Sequence, residues 1–221
     1  GELLRRLCRI DGIEWVRLHY AYPALFPQDA IDAMRDEPKI CKYLDIPFQH
    51  ISDSQLRSMR RGIDRAQTYA LIDKLRSEIP GIALRTTLLT GYPDESEADF
   101  AELMEFVGRV RFERLGVFAY SEEEGTYSAQ RLSDNVPEKT KRLRVERLME
   151  LQNGISRELN MQRLGTTERV IVDGREDGLL VARSQFDSPE VDTEILIRTP
   201  QELRITQADD YDLYATICDE I

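Results

Sequence analysis

Four short stretches of this 221-residue chain hold the residues whose types and spacing could do chemistry. They are His19-Tyr20-Ala21-Tyr22-Pro23, Gln49-His50-Ile51-Ser52-Asp53, Gly91-Tyr92-Pro93-Asp94-Glu95 and Tyr120-Ser121-Glu122-Glu123-Glu124-Gly125-Thr126. Each follows an apolar run. The first two contain the chain's only histidines, and either imidazole can handle a proton or serve as a satisfied structural group. The third resembles a strand-to-helix phosphate cradle, where free backbone N–H groups meet an anion. Its own acids argue against that use: Asp94, Glu95, Glu97 and Asp99 crowd the expected first helical turn and would repel a phosphate. Asp94 is placed to cap that helix, with Glu97 three residues on. Glu95 reads either as helix-start chemistry or as a contact for a neutral or cationic ligand. Glu122, Glu123 and Glu124 read either as a solvated loop or as an electrostatic receptor for a basic partner.

The elements that must position these stretches alternate regularly. Strands are predicted at Trp15–His19, Tyr43–Phe48, Ile82–Thr90 and Glu113–Ala119. They are apolar runs of the kind found where both faces of a parallel sheet are covered. Helices are predicted near Pro27–Asp36, Asp53–Arg60, Arg65–Ile79 and Glu95–Val110, the third opened by an Asp64/Gln67 capping box. Four such units predict an α/β fold that is part of a β/α barrel, whose chemistry gathers at the C-terminal ends of its strands. All four stretches fall there. A long helix over Pro137–Arg163 comes next, with Leu143, Leu148, Leu151, Ile155 and Leu159 on one face and a weak point at Asn153-Gly154. The basic run Lys139–Arg147 within it reads as an exposed face. Five short strands then follow, at Arg169–Asp173, Leu179–Ser184, Glu194–Arg198, Leu203–Gln207 and Leu213–Cys218. They predict a small all-β, OB-like barrel. The expected division is 1–136, 137–164 and 165–221.

Composition limits what these units can do. The net charge is −11, and residues 165–221 hold 14 Asp/Glu against 5 Arg, so nearly all the excess lies in the last segment. That disfavours direct binding of nucleic acid or an anionic membrane surface. No apolar run approaches the roughly 18 residues that would cross a bilayer. Cys8, Cys41 and Cys218 are too scattered for a disulfide framework or a metal motif, and a reducing cytoplasm is the expected compartment. The start, Gly-Glu-Leu-Leu-Arg-Arg, reads as the interior of a helix, so a fragment of a longer protein is expected.

Several stretches together, WVRLHYAYP, KYLDIPFQHISD, MRRG, LRTTLLTGYPDESEADF, FERLGVFAYSEEEGT and FDSPEVD…ADDYDLYATI, are similar to the RimO family of radical S-adenosylmethionine methylthiotransferases. The likeness runs in order over nearly the whole chain. It implies the later strands of a radical-SAM barrel followed by a TRAM barrel, and as substrate a basic protein, small-subunit ribosomal protein twelve, modified at an aspartate β-carbon. It implies S-adenosylmethionine and two [4Fe-4S] clusters in the full-length enzyme. The cluster cysteines, CxxxCxxC and an N-terminal set, are absent here, so the chain alone is expected to be inactive. By motif position it implies cofactor contacts at Gln49, His50, Leu89, Gly91, Glu95, Tyr120 and Ser121, with Glu122, Glu123 and Glu124 for substrate docking. A monomer is expected. The related tRNA methylthiotransferases of the MiaB type are the nearest rival: they carry a different strand end at RLHYAYP and an arginine in the loop that is SEEEGT here. A non-catalytic acidic protein-binding module is the rival of another class.

Overall fold

Alternating apolar runs and amphipathic helices produce a single parallel sheet in the computed structural model, which describes residues 1–198 and 203–217. The elements are α1 (Glu2–Cys8), β1 (Val16–Leu18), α2 (Gln28–Asp36), β2 (Ile40–Asp45), α3 (Asp53–Ser58), α4 (Arg65–Glu78), β3 (Ala83–Thr90), α5 (Glu97–Val110) and β4 (Arg114–Ala119). The strands lie in the order β1-β2-β3-β4, all parallel. One face of the sheet carries the core: Ile40, Leu44, Leu84 and Leu88 pack against Ile31 and Met34 of α2, Ile72 and Leu75 of α4, and Phe100, Leu103 and Phe106 of α5. The Asp64/Gln67 capping box opens α4 as expected.

The second strand differs from its predicted span. It covers Ile40–Asp45 rather than Tyr43–Phe48. Pro47 has no N–H to give the ladder, and the Thr86 hydroxyl takes over pairing there, donating to the Ile46 carbonyl and accepting from Phe48 N. Pairing with β3 resumes at Gln49, whose N–H bonds Thr87 O and whose carbonyl accepts from Leu89 N.

Beyond β4 come α6 (Tyr127–Arg131), which the sequence reading did not foresee, and α7 (Glu138–Gln162). The 25-residue α7 passes through Asn153-Gly154 without a break. Its buried positions are Lys141, Arg144, Leu148, Gln152, Ile155 and Asn160, whereas Leu143 is exposed. This corrects two expectations, because Leu143 lies off the packed face and the basic run is not simply solvated.

The last segment holds β5 (Val170–Glu176), β6 (Leu179–Ser184), β7 (Ile195–Ile197), β8 (Leu203–Ala208) and β9 (Leu213–Ile217), in the sheet order β5-β6-β7-β9-β8. Cys218, the predicted end of the last strand, lies outside the described residues. All pairings are antiparallel except β7 with β9. Asp177 and Gly178 both have positive φ, the conformation that lets a two-residue turn join β5 to β6. Ala182, Ile195, Ile197, Ile205, Leu213 and Ala215 form a small separate core.

The loop Ser184–Thr193 between β6 and β7 lies across the second face of the parallel sheet. Arg17 donates to Ser184 O at 3.0 Å, Tyr43 Oη donates to Asp192 at 2.7 Å, and Arg85 pairs with Asp192 at 3.2 Å. Asp187 is fully buried between Arg114 and Arg163. This loop covers the end of that face nearer the N-termini of the strands. Nearer their C-termini, Leu89 is half-buried and its register partner Phe118 is 59% exposed, leaving an apolar ledge.

Candidate functional site at the strand ends

The turn after β3 is built around an inward carboxylate. Gly91 has φ +77°, and a Cβ there would collide with Cγ of Lys141, so both backbone conformation and space require glycine. Asp94 also has positive φ and exchanges hydrogen bonds with Asn135, its N–H donating to Oδ1 at 2.9 Å. It therefore does not cap the helix. α5 begins at Glu97, two residues later than predicted, with Ser96 as its cap and Asp99 completing the capping box. The Ser52, Ser54 and Ser96 hydroxyls donate to Asp99, tying the α3 start to the α5 start. Against the partial burial that opposes its charge, these donors hold the Asp99 carboxyl well below the usual carboxylate range.

Glu95 points into the protein with no exposed side-chain surface. Its carboxylate accepts from His50 Nε2 at 3.1 Å, from the Thr90 hydroxyl at 3.1 Å, from Gly91 N, and from Arg144 Nη1 at 2.6 Å. Burial alone would push this carboxyl upward, but the hydrogen bonds from His50 and Gly91 and the charge of Arg144 outweigh it and leave the group lowered. A phosphate is excluded more firmly than the sequence argument required, since the protein's own carboxylate already holds the Gly91 N–H.

His50 is fully buried beside it. Ser52 N donates to Nδ1 at 3.0 Å, which makes Nε2 the protonated nitrogen of the neutral ring and directs that proton to Glu95. Gln49, at φ +71°, supplies the reversal that aims His50 there. The two histidines thus separate: His50 belongs to this cluster, while His19 sits on the opposite sheet face, 3.4 Å from Ser188 Oγ and 3.8 Å from Asp45.

After β4, Tyr120 is buried, with its ring edge-on to Tyr92 at 5.0 Å and its buried hydroxyl without a partner among the described residues. Ser121 and Glu122–Glu124 are exposed, and among the described residues these three glutamates form no ion pair. The structure therefore brings Gln49, His50, Leu89, Gly91, Glu95 and Tyr120 to one edge of the sheet and leaves Ser121 and the glutamates on its rim.

Sequence reading missed two members. Arg144 reaches Glu95 and also Glu97, and Lys141 donates to Tyr120 O at 3.2 Å and to Asp134 at 2.5 Å. Their signal was their spacing: positions 141, 144, 148, 152 and 155 form one helical stripe on which the cations share a face with Leu148 and Ile155.

An Fe–S cluster does not fit the residues present. Among the described residues no group of three metal-ligating side chains converges, and buried Cys8 and Cys41 belong to the cores on opposite faces of the sheet. The feature here that suits an adenosyl group is the Leu89–Phe118 ledge, an apolar face open at the strand ends, whereas the Cβ space of Gly91 is filled by Lys141 and the Tyr120 hydroxyl is buried.

Comparison with known proteins agrees with this layout. Residues 1–107 match the radical SAM superfamily and residues 164–218 match the TRAM domain. Ribosomal protein uS12 methylthiotransferase RimO of Bacteroides thetaiotaomicron is 50% identical over 98% of this chain and 52% of its own length. The corresponding proteins of Phocaeicola vulgatus and Porphyromonas gingivalis are 50% and 51% identical, with 52% and 53% of their lengths covered. Among solved structures, coproporphyrinogen III oxidase (HemN) of Escherichia coli, a radical SAM enzyme, superposes with a TM-score of 0.51 at 23% identity, covering 63% of this chain and 32% of that one. That likeness concerns the fold alone. The chain spans about half the length of the curated relatives it matches, and within that half residues 1–107 carry the likeness to the radical SAM superfamily and residues 164–218 the likeness to the TRAM domain.

Proposed function

We propose that this chain is the cofactor wall and substrate platform of a methylthiotransferase acting on an aspartate of ribosomal protein uS12. The observation that carries this reading is the roughly 50% identity to RimO proteins across 98% of the chain. When bound, S-adenosylmethionine with the iron–sulfur clusters of the full-length enzyme would supply the radical, sulfur and methyl chemistry. This chain's residues bind and orient. Leu89, beside the exposed Phe118, offers the adenosyl group an apolar face with Ser121 on the rim, while Gly91 and Tyr120, both buried against Lys141, shape the strand ends from within. Glu95 and His50 act from beneath by fixing the Gly91 turn, since their side chains are wholly buried.

Glu122, Glu123 and Glu124, beside an acidic final segment, suit a basic protein and oppose RNA. The described helices include none long and apolar enough to cross a membrane, in keeping with a cytoplasmic substrate. We also read the final sheet as a closed OB-like barrel beginning near residue 165, after a linker helix over 137–164 and a barrel portion over 1–136. Support comes from Gly165 N bonding Ile205 O and Ile205 N bonding Thr166 O, which join the chain ahead of β5 to the far strand β8.

The test is full-length, cluster-loaded enzyme containing this chain, offered uS12 and tRNA side by side and read by mass spectrometry of both. Methylthiolation of the protein alone is expected. Modification of tRNA, or tight salt-sensitive tRNA binding, would transfer the chain to the tRNA-modifying branch.

A further inference from the structure

α7 buries two cations, and neither is spent on α7 itself. Arg144 is 4% exposed and Lys141 3% exposed. A guanidinium cannot shed its proton to escape burial, and an apolar pair of similar volume is often as stable as a buried ion pair. What these cations reach is therefore informative. Arg144 binds the Glu95 carboxylate at 2.6 Å, the Glu95 carbonyl at 3.2 Å and Glu97 at 2.5 Å. Lys141 binds the Tyr120 carbonyl, and its alkyl stem lies where any Cβ on Gly91 would be. Both thus hold backbone at the two strand ends where the ladder between β3 and β4 has run out.

The far end of the same helix is fixed to the last segment. Asn160 donates to Asp209 O at 3.3 Å, Tyr211 Oη donates to Asn153 at 3.0 Å, and Arg163 pairs with Glu168 at 2.6 Å and Asp187 at 3.4 Å. At about 1.5 Å per residue, a helix of this length is a rigid rod roughly 37 Å long.

We propose that Arg144 and Lys141 are positioning residues of the adenosyl site: through them α7 sets the Gly91–Glu95 turn and the Tyr120 strand end in fixed relation to the TRAM segment. The linker helix is then a structural member of the cofactor site. This rests on the cofactor reading above and goes beyond it by assigning two side chains that touch no cofactor.

The probe is S-adenosylhomocysteine binding to the full-length, cluster-loaded protein, by calorimetry, alongside thermal unfolding and uS12 affinity. Arg144→Met is expected to weaken S-adenosylhomocysteine binding at least about tenfold at a temperature where the variant is folded, with uS12 affinity unchanged. Arg144→Lys, which keeps the charge but loses the second nitrogen, is expected to recover part of that loss. Lys141→Met is expected to weaken binding by about threefold or more, and Arg142→Ala, on the exposed side of the same helix, to leave it unchanged. Should Arg144→Met not fold, Arg144→Lys and Lys141→Met decide. A folded Arg144→Met, or this fallback pair, with wild-type affinity and only a lowered melting temperature overturns the inference while leaving the cofactor reading intact. A wild-type protein that fails to bind S-adenosylhomocysteine overturns the cofactor reading and this inference together.

Discussion

The turn after β3 and the loop after β4 are both acidic and occupy equivalent places at the sheet edge, yet they use their carboxylates in opposite ways. Glu95 is enclosed by four donors, from β3, α7, the loop after β2 and the adjoining turn. Glu122, Glu123 and Glu124 are open to solvent. Charge in sequence therefore says little until the partners are known: an enclosed carboxylate fixes a backbone, while an exposed one offers a field to whatever approaches.

The sharpest way to break that comparison is Glu95→Ala. It would leave the Arg144 guanidinium, the His50 ring and the Gly91 N–H without their common acceptor, and removing one partner of a buried pair costs about 3–5 kcal/mol. Urea unfolding should show a loss of that order. Glu95→Gln, which keeps the shape but not the charge, should lose less. A loss under about 1 kcal/mol for the alanine variant would mean that the cluster does not hold the turn.

Asp187→Asn comes next. This carboxylate lies buried between Arg114 and Arg163 at the contact of the Ser184–Thr193 loop with the parallel sheet. Burial raises its pKa, but the two arginines and Ser184 win and hold it below the ordinary value. A group lowered on folding contributes stability that is present above its unfolded pKa, near 4, and is lost as pH falls through the folded value. Glu95 and Asp99 share that sign. The protein should therefore lose stability progressively as the pH drops below about 4. Asp187→Asn should cost about 2–3 kcal/mol at neutral pH and flatten that acid slope, measured by denaturant unfolding at several pH values.

Gly91→Ala probes the turn without touching charge. Positive φ alone costs a non-glycine residue about 1–2 kcal/mol, and the Lys141 stem adds a collision. Pairing it with Lys141→Ala should recover the collision part and not the backbone part. A full recovery would show that φ does not matter there.

Much of this architecture is legible in sequence, for identifiable reasons. Apolar periodicity marks β1 to β4 and the flanking helices, because burial against a sheet imposes it on every residue. The Asp64/Gln67 box is a local pattern and is read correctly. The start of α5 is not, because four acids within six residues offer competing caps and the choice of Ser96 with Asp99 depends on Ser52 and Ser54 at the start of α3. The end of β2 is displaced by Thr86, a side chain 39 residues beyond Pro47 that enters the ladder. Arg144 escapes because a cation on a helix is ordinarily solvated. Only the pairing of α7 with the β3 turn, a contact between residues 49 apart, turns it inward.

The smallest expected effect on stability is also the one that separates the two acidic regions most cleanly. Replacing Glu122, Glu123 and Glu124 together by lysine removes no buried contact, so the melting temperature should stay within about 2 °C of the parent. Docking should respond instead. If these residues attract a basic protein, the reversal weakens binding of uS12 to the full-length enzyme chiefly through a slower association rate, and the difference shrinks as salt is added. Stopped-flow or surface-binding kinetics at low and high ionic strength would read it. An unchanged association rate at low salt would remove the loop from the docking surface. A large fall in melting temperature would show that the loop is part of the fold, and the contrast between an enclosed and an open carboxylate would then fail at its exposed end.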